Sequence, residues 1–176
     1  LAERLDAVLD TLYLLFNEGY SPSGGDAALR RDLAEEAIRL ARQLAAHPVG
    51  DAPHVAALLA LLLFQGSRWD AREDADGLPV PLAEQDRARW DRDRINEGLR
   101  WLEHSARGPA ATELHLLAGI AACHAVAPSD AATDWPAIVA LYDDLAGLGD
   151  DPNVRLNRAV AVGRAEGPAA GLAALD

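Results

Sequence analysis

Ten consecutive apolar residues, VAALLALLLF from Val55 to Phe64, constrain this chain more than any other feature. A spanning helix needs roughly 18 to 20 such residues, so the run is too short to cross a bilayer. It carries no polar stripe either, and a helix that is apolar all round must be covered on several sides. The run therefore predicts a central core helix from about Pro53 to Arg68, with the other elements arranged around it.

The flanking segments have the periodicity of helices. Leu1, Leu5, Val8, Leu9, Leu12, Leu15 and Phe16 recur at helical spacing, with Glu3, Asp6 and Asp10 away from that stripe. Leu14 projects nearly opposite, which predicts a second neighbour at the helix end. SPSGGD then supplies turn residues, and Asp26 is the expected cap of a second helix from about Ala27 to Ala46. Its apolar face is Leu33, Ala37, Leu40, Ala41 and Leu44, and Arg31, Glu35 and Arg39 lie four apart on another.

From Trp69 to Leu82 helical periodicity stops, and Asp76-Gly77 forms a tight-turn pair between short stretches that could be extended. A small hairpin or ordered loop is expected over residues 70–83. Helices resume near Glu84, with a break around Arg89, and end at RGP. Others are expected over 110–126, over 136–148 with Asp134 or Thr133 as cap, over 154–165, and from Pro168 onward. A shift of 34 residues lays Ile138 on Leu172 and Leu141 on Leu175, and 34 is the tetratricopeptide period. Trp135, Ile138 and Tyr142 also take that repeat's first-helix spacing, although Val139 stands where a small residue belongs. The expected fold class is all-α: antiparallel helical hairpins, tetratricopeptide-like toward the C-terminus. Residues 1–108 form the first part and 109–176 the second, in one continuous unit. The first residue is leucine in mid-pattern, which suggests a piece of a longer chain.

Charge narrows the partners. Sixteen basic against twenty-eight acidic side chains leave a net charge of −12, which repels nucleic-acid phosphates and anionic lipid. The single cysteine, Cys123, excludes an internal disulfide, so a reducing cytoplasm is the expected compartment.

Searches for chemistry give little. Placing Gly77 at the sixth position of a calcium loop puts Arg72 and Ala83 where carboxylates are needed. His115 lies eight and nine residues from Cys123 and His124, about 12 Å along a helix at ~1.5 Å per residue, too far for one zinc ion. Cys123 sits on an apolar face where a thiol stays protonated, and neither a nucleophile elbow nor a phosphate-binding glycine loop is present. No catalytic residue, metal or cofactor is expected. QDRARWDRDR interleaves Arg87, Arg89, Arg92 and Arg94 with Trp90, but Asp86, Asp91 and Asp93 leave it a surplus of one positive charge. Its arginines can instead pair with carboxylates elsewhere in the chain, and Glu18 in NEGY is a candidate for Arg87 or Arg89. In that motif Asn17 can cap carbonyls, Gly19 can take the left-handed conformation, and Tyr20 can fold over Phe16. The alternative makes Glu18 a general base in a ligand pocket where an arginine holds an anion.

LYLLFNEGYSPSGG, RLARQLAA, ADGLPVPLAEQDRARWDRDRINEGL, IAACHAVAPSDAATDWPAIVALYDDL and NRAVAVGRAEGPAAGLAALD occur in that order. Together they resemble the C-terminal extension of a bacterial group of extracytoplasmic-function RNA polymerase sigma factors, over nearly all 176 residues. The resemblance implies a tetratricopeptide-like domain that follows the sigma modules, works through protein contacts and carries no catalytic residues. Its partners would be those modules, polymerase or a regulatory protein. Asn17, Glu18, Tyr20, Asp86, Arg87, Trp90, Asp134, Trp135, Tyr142 and Asn157 match its phrases, and exposed Trp, Tyr and Arg side chains would be the expected anchors.

Overall fold

The computed structural model describes residues 4–21, 30–108 and 110–175. Eight α-helices form among them: α1 (Leu5–Tyr20), α2 (Arg31–Ala45), α3 (Pro53–Gly66), α4 (Arg92–Ser105), α5 (Glu113–Val126), α6 (Trp135–Leu148), α7 (Pro152–Glu166) and α8 (Pro168–Ala173). The fold is all-α. No described helix is long and apolar enough to cross a membrane.

The apolar run becomes α3, and every residue from Val55 to Phe64 is buried. One face of α3 packs with Leu9, Leu12 and Phe16 of α1 and Ala37, Ile38 and Ala41 of α2. The other carries Ala60, Leu61 and Phe64 into a second cluster with Trp90, Ile95 of α4 and Ala118, Ala122 and Ala125 of α5. A third cluster joins Leu116 and Ile120 of α5 to Ile138 and Leu145 of α6 and Ala161 of α7. From α5 onward each helix packs on the next across a short connection, which sets neighbours antiparallel.

Local chemistry sets the boundaries. The Asp134 carboxylate accepts from Ala137 N at 3.0 Å and Pro136 sits in the first turn of α6, both as expected. Asp91 caps α4 by accepting from the amides of Asp93 and Arg94. The helix expected from near Glu84 begins instead at Arg92, where Asp91 caps it, and Leu82–Glu84 and Arg87–Arg89 before it are short 3₁₀ turns. Over 70–83 lies the expected small hairpin: Glu73 bridges Pro79 antiparallel, the Asp74 carboxylate accepts from Asp76 N and Leu78 N, and Gly77 turns the chain with φ 77°. The Asp26 cap lies outside the described residues.

Two expectations for α1 are corrected. Gly19 is not a left-handed terminator, because α1 continues to Tyr20 and the positive-φ glycines among the described residues are Gly77 and Gly167. Gly19 is there for proximity: a Cβ on it would stand 2.5 Å from Ala34 N, so a larger side chain would push α2 off α1. Among the described residues the second neighbour expected over Leu14 is not found, and this side chain is 67% exposed.

Candidate functional site

Arginines and aromatic rings alternate from the end of α1, through the segments that follow α3, to the joint with the last four helices. Tyr20 folds back on Phe16 as expected, with ring centroids 5.4 Å apart and 22° between planes, and meets Trp69 at 5.3 Å. Arg72 lies over the Tyr20 ring at 3.5 Å and donates to the Tyr20 carbonyl at 3.0 Å. Arg68, just beyond the end of α3, donates to the Tyr20 hydroxyl and stands 5.9 Å from the Trp90 ring centre. Arg87 covers Trp90 at 4.3 Å. Further along, His124 meets Trp135 edge-on at 5.3 Å, and Arg164 lies over Trp135 at 4.8 Å while paired with Asp130.

Arg87 is held at the end of a helix. Arg87, 7% exposed, donates to the carbonyls of His124 and Ala127 at the end of α5. The last carbonyls of a helix lack intrahelical partners and carry partial negative charge, so a guanidinium there both caps the helix and complements its dipole. Arg89 is exposed. The link between α1 and the hairpin is carried by Tyr20, through Arg68 and Arg72.

Three of these guanidiniums, on Arg68, Arg72 and Arg87, have no described carboxylate within ion-pair distance, although the chain is strongly acidic. Beside them is a cavity of about 210 Å³ between α3, α5 and α6. Its lining includes Phe64, Arg68, Trp90, Leu117, His124 and Tyr142. Burial, reinforced by Arg68, Arg87 and Arg164, pulls the His124 imidazole down to about 4. Burial also raises the Tyr142 phenol and lowers Arg68, whose guanidinium remains charged at any physiological pH. His124 is therefore a neutral ring held in a positive field.

The sequence candidates divide accordingly. Tyr20, Arg87, Trp90, Trp135 and Tyr142 belong to this joint. Asn17 and Glu18 lie on the half-buried part of α1, and Glu18 does not line the cavity. Asp86 is exposed and caps the 3₁₀ turn through Ala88 N, and Asn157 is exposed on α7. Trp90 and Arg87 are buried. Arg68 was not singled out, and Arg72 and His124 entered only in setting aside calcium and zinc. Their one signal is position: Arg68 is a cation set directly after an all-apolar helix.

Residues 4–106 match the family of unknown function DUF6596. The chain belongs to this family. DUF6596 thus covers Tyr20, Arg68, Arg72, Arg87 and Trp90, while His124, Trp135, Tyr142 and Arg164 come from the part that follows. The chain is also 45% identical over 175 residues to "Uncharacterized protein R00370" of Rhizobium meliloti (strain 1021), covering 99% of this chain and 41% of that protein. It spans about two-fifths of the length of this curated relative. No solved structure gives a significant match.

Proposed function

We propose that this domain is the C-terminal regulatory and protein-interaction part of an extracytoplasmic-function RNA polymerase sigma factor, working in the cytoplasm without catalysis. It acts by gripping sigma modules, polymerase or a regulatory protein through its tetratricopeptide-like helices. The observation that carries this reading is an apolar stripe left open on the last helices. Leu156 and Val160, four residues apart on α7, are 53% and 55% exposed, and Leu172 on α8 is exposed as well. Apolar side chains aligned on one helix face are what a partner helix or strap buries. The net charge of −12 turns the surface away from DNA and toward protein. The relative's greater length leaves room for sigma modules outside the matched part.

Size-exclusion chromatography and cross-linking test this reading, with the chain mixed with the rest of its full-length protein or with core polymerase. Binding to one of them is expected, and Leu156→Asp with Val160→Asp should abolish it while leaving the melting temperature of the chain unchanged. Absence of binding to both would contradict the proposal.

A further inference from the structure

The cavity beside Arg68 has the chemistry of a built site, and its parts come from both halves of the chain. Trp90 is 3% exposed, and its indole Nε1 is enclosed without an acceptor among the described residues. His124 Nδ1 is likewise enclosed without a partner. Both residues line the cavity together with Arg68 and Tyr142. An indole N–H can only donate, a guanidinium can only donate, and a phenol can donate. The unmatched donor among these groups is the Trp90 indole, and Arg68 has no described carboxylate partner, so an acceptor-only group would suit both. Apart from the amide of Gln65, the remaining walls, Phe64 and Leu117 among them, are apolar and offer no second charge. We infer that this cavity binds a small organic monocarboxylate, its carboxylate toward Arg68, Trp90 and His124 and its short hydrocarbon body against α3 and α5.

The chemistry selects this class over its neighbours. A phosphate ester brings more charge and more acceptor oxygens than one guanidinium, one indole and a neutral imidazole can match in so apolar a setting. A neutral alcohol of equal length would fill the walls and leave the arginine unpaired. Size sets the limit: 210 Å³ is equivalent to about seven waters at ~30 Å³ each, hence a ligand on the order of seven to nine non-hydrogen atoms, as in hexanoate or benzoate. Such a ligand would touch α3, α5 and α6 together, so its occupancy would bias how the last helices sit on the first.

The test titrates the chain with hexanoate and benzoate, and with hexanol and benzamide as neutral matches, following the indole resonance of Trp90 and the ring resonances of His124 by NMR. Saturable binding of at least one carboxylate is expected, about tenfold or more tighter than its neutral match, with the His124 ring titrating at higher pH in the complex. Arg68→Gln should weaken carboxylate binding about tenfold and leave that of the neutral match unchanged. If that variant does not fold, Arg68→Lys reads the same contact and should weaken binding several-fold through loss of the fork. Equal affinity for carboxylate and alcohol would overturn the inference. So would the absence of any shift at Trp90 and His124 up to about 10 mM carboxylate, or response only to an acidic peptide.

Discussion

The guanidinium of Arg72 lies 3.5 Å from the centre of the Tyr20 ring, and it donates to the carbonyl of the same tyrosine. One arginine thus holds both the side chain and the main chain at the end of α1, and it comes from the segment leading into the hairpin. A cation over an aromatic face contributes about 0.5–2 kcal/mol depending on how far it is removed from water. NEGY is on this account a knot: Gly19 lets α2 approach, and Tyr20 is gripped by Phe16, Trp69, Arg68 and Arg72.

Removing the ring should therefore cost far more than removing its hydroxyl. Tyr20→Ala is expected to destabilise the chain by about 2–3 kcal/mol through lost packing and stacking. Tyr20→Phe should cost only about 1 kcal/mol, since it loses the single bond from Arg68. Urea denaturation of both variants measures the difference, and equal losses would contradict the knot.

Gly98 marks the closest approach of α4 to α3. A Cβ there would lie 2.7 Å from the Phe64 ring, and that ring is buried in the second core cluster. Gly98→Ala gains about 1 kcal/mol of helix propensity but overpacks the contact by about 1–3 kcal/mol. Net destabilisation is expected, and Phe64→Leu should relieve it in the double variant. Thermal melts of the two singles and the double decide, with additive losses as the contrary result.

Arg42 and Glu97 join α2 to α4 through two bonds of 2.7 Å each, in fork geometry. The arginine holds the Glu97 carboxyl below its ordinary range, chiefly by hydrogen bonding. Both side chains keep some exposure, so a double-mutant cycle with Arg42→Ala and Glu97→Ala should give a coupling of about 1 kcal/mol that shrinks in high salt. A coupling indistinguishable from zero at low salt would show the pair to be without weight.

His124 makes stability depend on pH in a window that carboxylates do not share. Its folded-state value is about 4 against 6.5 when free, because burial and the arginines Arg68, Arg87 and Arg164 disfavour the imidazolium. Between those values the unfolded chain takes up a proton that the folded chain refuses. The contribution is thus complete above about pH 6.5 and lost progressively as pH falls toward 4, up to about 3 kcal/mol. Urea melts at successive pH values should show this loss in the native chain and a flatter profile in His124→Gln. Identical profiles would contradict it.

Much of the fold was legible because its signals are local. The ten-residue apolar run, the stripe ending in Phe16, the cap at Asp134 and the turn at Asp76-Gly77 each report a structure a few residues long. The joint was only half legible. Tyr20, Arg87, Trp90 and Tyr142 stood out by composition and motif, but their partners depend on which helix ends meet in space. Nothing in the spacing of Arg87 and His124, 37 residues apart, shows that one caps the other's helix. Gly19 looked like a terminator because helix-ending and helix-crowding glycines are alike in sequence.

The central claim is that these helices act on transcription by holding another polypeptide. Promoter-directed transcription in vitro tests it most directly. Polymerase would be programmed with the full-length protein, with a version lacking this chain, and with that version plus the chain added in trans. The account predicts that specific activity changes on deletion and moves back toward the full-length value when the chain is restored. Unchanged specific activity in all three, with only the abundance or solubility of the shortened protein altered, would contradict it.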